Sequence, residues 1–132
     1  MRTLVLIIFL TTTFFGKSQT VSTDTIGNKS ATENIYNKVL FGDSLASSFC
    51  IVIKKEVKSH KHLNHSEHVI VVEGEAIMHL GDKTFTIKKG DVIFIPKNTI
   101  HSVKNTGKQP LKVLSIQAPR FDGTDRIMIE QK

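Results

Sequence analysis

From Ile51 to Gln117 the sequence never holds apolar residues at a helical spacing; short β-prone runs recur instead, each closed by turn residues. The runs are Ile51 to Val57, Val69 to Val72, Ala76 to Leu80, Thr84 to Ile87, Val92 to Ile95, Ser102 to Lys104 and Leu111 to Gln117. Gly81 and Asp82 form a hairpin signal between two of them, and Lys88 to Asp91 make the next bend. Strands this short and evenly spaced bury their apolar faces as an antiparallel sandwich or a small barrel, so the expected fold class is all-β. At 132 residues, with 39% hydrophobic and 23% charged side chains, the chain has room for one such domain.

The region before the first run divides in two. Arg2 followed by the apolar stretch Leu4 to Leu10, then Thr11 to Phe15 and the small residues Gly16 and Ser18 around Lys17, has the layout of a secretory signal and is short for a membrane span. Residues 1–18 are therefore expected to be a cleaved signal peptide, which places the mature protein in the periplasm or outside the cell, free of the membrane after cleavage. Residues 19–35, rich in Ser, Thr, Asn, Asp and Gly, are expected to be a flexible linker, and residues 36–132 the folded domain. Cleavage removes Arg2 and Lys17 and leaves 16 basic against 12 acidic residues. That excess is mild, the lysines are dispersed, and the chain has one Tyr and no Trp, so nucleic acid is not an expected partner. Cys50 is the only cysteine, which excludes an intramolecular disulfide; between Phe49 and Ile51 it reads as a small buried apolar residue.

Four of the six histidines, His60, His62, His65 and His68, crowd into nine residues where one run ends and the next begins. Alternate residues of a strand share a face, so His60 and His62 point the same way with Cα atoms roughly 6.6–6.8 Å apart. Glu67, at the head of the next run, can bring a carboxylate beside them, and His101 arrives from far along the chain, just after Pro96. Three neutral imidazoles and one carboxylate suit one divalent transition-metal ion, that is Fe, Mn, Ni, Co, Cu or Zn, better than Ca or Mg. His68 follows Glu67 and points to the other face, His65 lies in the turn at the surface or behind the ligands, and His79 reads as a strand histidine with a local partner. Strict alternation also puts Lys54, Glu56 and Lys58 on the His60 face; a bulge before His60 reverses that parity and leaves them in solvent, the arrangement expected here.

At these residues the sequence resembles the cupin superfamily, in particular its small single-domain members. The first motif is matched by His60-Lys61-His62, four residues, Glu67, six residues and Gly74. The second is matched by Gly90, five residues, Pro96, then His101 and Asn105, with a compact fifteen residues between Gly74 and Gly90. Lys54 and Asn98 stand where the family commonly has glycine; Asn98 is the milder change, since asparagine tolerates the left-handed backbone region. The resemblance implies a double-stranded β-helix, or jelly-roll, barrel with its metal held by His60, His62, Glu67 and His101. It also makes a homodimer plausible, with Ile35 to Leu40 and Ile127 to Ile129 as strand-like edges open to a neighbour.

The fold does not choose the chemistry, because cupins include isomerases, epimerases, lyases, dioxygenases and non-catalytic binders. The stretch from Glu67 to Gly74 and the later Asn105 to Leu111 are similar to the cupin part of mannose-phosphate isomerases. The leading expectation is thus a metal-dependent enzyme acting on a small carbohydrate-like molecule or organic acid. A non-catalytic ligand-binding module and a metal-dependent dioxygenase are the alternatives. Beyond the ligands, Glu56, Gln117 and Tyr36 are the candidates for moving protons.

Overall fold

The computed structural model describes residues 19–27 and 30–130. The expected signal peptide, residues 1–18, lies outside them. Ten strands follow in order: β1 Ile35–Gly42, β2 Ser47–Ile53, β3 Glu56–Lys61, β4 Ser66–Glu73, β5 Glu75–Leu80, β6 Lys83–Lys88, β7 Val92–Ile95, β8 His101–Asn105, β9 Leu111–Ala118 and β10 Ile127–Met128. They form two five-stranded antiparallel sheets, one ordered β1-β2-β9-β4-β7 and the other β10-β3-β8-β5-β6. Among the described residues no helix is long and apolar enough to cross a membrane.

Alternation along each strand sends one set of side chains between the sheets. Ile53, Val69, Val71, Ile93, Ile95, Leu111 and Val113 from the first sheet meet Ala76, Met78 and Ile87 from the second in one buried cluster. Cys50 is buried with no exposed surface, as its apolar neighbours predict.

The single run expected from Ile51 to Val57 is two strands. The chain leaves the first sheet at Ile53 and enters the second at Glu56, crossing on Lys54 and Lys55. Two asparagines satisfy the backbone of that crossing. The side-chain oxygen of Asn34 accepts from the N–H groups of Lys55 and Glu56, at 3.0 Å each. The side-chain amide of Asn105 donates to the Lys54 carbonyl at 3.1 Å.

Part of the polar segment read as a linker lies against the barrel. Ile26 is buried, and the Nζ of Lys112 donates to the Thr23 carbonyl at 3.2 Å and to Glu73 Oε1 at 2.9 Å. Lys54 Nζ reaches the carbonyls of Ser30 and Thr32 at 3.0 and 2.7 Å, so this lysine supports the N-terminal segment.

Candidate metal centre

A bulge decides what β3 offers the interior. Val57 pairs with Val103 and His60 with His101, so three steps on β3 stand opposite two on β8. The extra residue turns Val57 and His60 to the same side and leaves Glu56 and Lys58 exposed. The cavity wall at this point is therefore apolar Val57, and the polar side chains of β3 face solvent.

His62 lies one residue beyond β3, where its carbonyl accepts the N–H of Asn98. Asn98 has φ 61°, the left-handed conformation that asparagine accommodates in place of glycine, and its side-chain oxygen takes a 3.0 Å bond from Lys61 Nζ. Glu67 is the second residue of β4 and His101 the first of β8. His60, His62 and His101 are each 5% exposed, and Glu67 is 6% exposed.

The three imidazoles converge, with ring centres 4.2 Å apart for His60 and His101, 5.0 Å for His60 and His62, and 5.3 Å for His62 and His101. Each Nδ1 is committed to a backbone carbonyl: His60 to Lys58 at 2.8 Å, His101 to Thr99 at 2.9 Å, and His62 to Asp125. A carbonyl oxygen can only accept, so Nδ1 carries the hydrogen in all three rings and each neutral ring keeps its lone pair on Nε2. Burial, with the neighbouring charges of His101 and Arg126, pushes the His60 pKa down to about 3. Burial lowers His101 as well.

The Glu67 carboxylate is divided between two tasks. Oε1 accepts from the Ser115 hydroxyl and from Gln117 Nε2, the latter at 3.5 Å. Oε2 faces the imidazoles, 3.8 Å from His62 Nε2 and 3.7 Å from His101 Nε2. One donor atom from each of His60, His62 and His101 lies within 4.8 Å of the others, a spacing that one ion can bridge. Among the described residues the buried Nε2 of His101 has no hydrogen-bond partner. A buried lone pair left free beside two similar rings fits the donor set of a transition metal.

His65 stands behind this group. It is 2% exposed, its ring centre lies 4.2 Å from that of His62, and its Nδ1 is 2.9 Å from Asp125 Oδ2. Burial lowers its pKa. His68 is exposed against Phe94, and His79 bonds Thr84 Oγ1 at 2.7 Å on the outer face of β5. Of the proposed proton carriers only Gln117 reaches the cavity; Glu56 is exposed, and Tyr36 alternates away from its lining neighbours Ile35 and Asn37.

Sequence reasoning missed the segment after β9. Phe121 lies edge-on to Phe49, His62 and His65, Asp125 takes the N–H groups of Leu63 and Asn64 at 2.8 Å each, and Arg126 lines the cavity. No β-pattern marks residues 119–126, so only tertiary contact reveals them. The cavity measures about 120 Å³ and is otherwise walled by side chains such as Ile51, Val57, Met78 and Val113. That is room for several water molecules.

A two-sheet barrel with a buried three-histidine cluster and a facing carboxylate defines a small barrel protein with a candidate metal site. The family whose description is "Cupin domain" matches residues 49–117, which contain all four of these side chains, and the chain belongs to that family. An uncharacterized protein of Methanocaldococcus jannaschii is 37% identical over 97 residues, taking in 74% of this chain and 75% of that protein. Mannose-1-phosphate guanylyltransferase RfbM of Salmonella typhimurium is 37% identical over 86 residues, 63% of this chain but only 18% of that enzyme. A solved protein with a double-stranded β-helix domain from Klebsiella pneumoniae superposes with TM-score 0.74 at 23% identity, over 87% of this chain and 100% of that one. At that identity the likeness speaks for the fold alone.

Proposed function

We propose that this cupin holds one divalent transition-metal ion through the Nε2 atoms of His60, His62 and His101 and Oε2 of Glu67, and acts on a small oxygen-bearing molecule, carbohydrate-derived or an organic acid. The observation that carries the reading is the commitment of all three Nδ1 atoms to backbone carbonyls, which leaves three convergent lone pairs in a buried site. Bound there, such an ion supplies Lewis acidity toward an oxygen of the ligand. Ser115 and Gln117 keep Glu67 turned inward, and Gln117, whose buried Oε1 has no partner among the described residues, can accept a hydrogen bond from the ligand. Chemistry of the isomerase, epimerase or lyase kind needs no redox-active ion, whereas a dioxygenase does.

One observation favours a non-catalytic binding module as the second reading. Apart from the four proposed ligands, the only charged residue lining the cavity among the described residues is Arg126, which does not exchange protons near neutral pH. The test is turnover of a panel of small sugars, sugar acids and hydroxy acids by protein reloaded separately with iron, manganese, nickel and zinc. Turnover that survives complete chelation sinks the metal-dependent reading; saturable binding with no product across the panel favours the module.

Export and pairing belong to the same proposal. The native host is expected to release a chain that begins at Gln19, and mass spectrometry finding Met1 on the exported protein removes the signal. β1 and β10 each stand at the edge of a sheet, which supports pairing with a second copy along the edges expected from the sequence. Light scattering that shows only monomer at high concentration excludes it.

A further inference from the structure

Among the described residues, Arg126 is the one lysine or arginine that lines the cavity. The backbone on both sides of it is fastened. Asp125 is tied to Leu63, Asn64 and His65 through its carboxylate, while Ile127 and Met128 pair with Lys61 and His60 as β10 against β3. The backbone of the arginine is thus held against the end of β3 by contacts that do not involve its own side chain.

Its guanidinium makes no hydrogen bond or salt bridge among the described residues. The acid whose charge acts on it is Glu67, yet Oε1 of that carboxylate is taken by Ser115 and Gln117 and Oε2 faces His62 and His101. A guanidinium carries five N–H donors in a rigid fork that matches a carboxylate or phosphate group. Beside a divalent cation balanced by only one carboxylate, a further unpaired cation is unfavourable until an anion joins it.

We propose that Arg126 is the anion-binding residue of this cavity, and that the ligand is a small molecule with a carboxylate or phosphate at one end, paired with the guanidinium, and oxygen-bearing carbons toward His60, His62 and His101. The inference rests on the metal-dependent reading above for the second half of that arrangement, and on the cavity's own geometry for the first.

Calorimetric titration of the zinc-loaded protein with glucuronate, glucose 6-phosphate and glucose tests it, because the three share a pyranose ring and differ at one carbon. At least one of the two anions is expected to bind about 10-fold or more tighter than glucose, the size of one charge-assisted pair. Whichever it is identifies carboxylate or phosphate as the recognised group. Arg126→Gln removes the preference, Arg126→Lys keeps part of it, and both variants retain the zinc content of the wild type by elemental analysis. Glucose binding as tightly as the anions, a preference undiminished in Arg126→Gln, or no binding of any of the three at millimolar concentration overturns the proposal. Failure of the wild type to take up zinc counts against the metal reading instead, and the same titrations on metal-free protein still decide the role of Arg126.

Discussion

The backbone carbonyl of Asp125 accepts the Nδ1 hydrogen of His62, so a residue 63 positions further along the chain sets the direction in which His62 offers its lone pair. His60 and His101 take their acceptors two residues away, from Lys58 and Thr99, and their orientation is a local property of β3 and β8. Only His62 depends on the C-terminal segment. Asp125 can hold its carbonyl in place because its carboxylate grips Leu63, Asn64 and His65 at the same time.

Asp125→Ala is therefore expected to weaken metal binding by about 10–100-fold, the usual cost of losing a group that orients a ligand. Competition with a chromophoric chelator measures it. Asp125→Asn, which keeps one acceptor oxygen, should lie between Ala and wild type. Wild-type affinity in Asp125→Ala would show that His62 holds its direction without the carboxylate.

His62→Ala removes a donor atom, and its effect is expected to exceed the about 10–100-fold cost of an orienting group. His68→Ala, on the outer face against Phe94, should leave the affinity and the one-ion stoichiometry as they are. Equal losses in the two variants would mean that His62 does not face the interior or that His68 does not face outward.

The metal-free protein should lose stability as the pH falls below about 6.5. His60 has its folded pKa pushed down to about 3 by burial and by the charges of His101 and Arg126, while the unfolded chain protonates it near 6.5. Between those values the unfolded state binds a proton that the folded state refuses. Stability is then fully present above the upper value and declines toward the lower one. His101 and His65, both lowered by burial, act in the same direction. Each such imidazole contributes up to about 1.4 kcal/mol per pH unit inside its window. Thermal melts in chelator between pH 8 and pH 5 check this, and a flat midpoint would contradict it.

The histidines, Glu67 and the turn glycines were legible because each rests on short-range rules. Strand alternation aligns residues two apart, and the spacing from Gly90 through Pro96 to His101 is a local turn. The break after Ile53 was not legible, since Lys54 and Lys55 interrupt neither the β-propensity around them nor the charge pattern; what stops the strand is capping by Asn34 and Asn105, from distant parts of the chain. Ile26 is a lone apolar residue in a polar stretch, and composition carries no sign that it is buried. Phe121, Asp125 and Arg126 belong to a segment without periodicity, and their roles appear only when β10 pairs with β3.

The turn from β4 to β5 offers a test of the fold that is separate from the metal. Gly74 has φ 85°, and a Cβ built there would lie 2.9 Å from the Pro110 carbonyl oxygen and 3.0 Å from the Leu111 Cα. Both neighbours are backbone, and Leu111 is fully buried in the core, so neither can move aside cheaply. Gly90 has a similar φ of 95°, yet a Cβ there meets nothing within 4 Å. Gly90→Ala should thus carry the cost of backbone strain alone, about 1 kcal/mol, whereas Gly74→Ala adds a steric clash and should cost about 3 kcal/mol or more. Urea denaturation of the two variants against wild type, at fixed slope, gives the comparison. Equal losses would mean that Pro110 and Leu111 yield to the added methyl and that strain alone selects glycine at this turn.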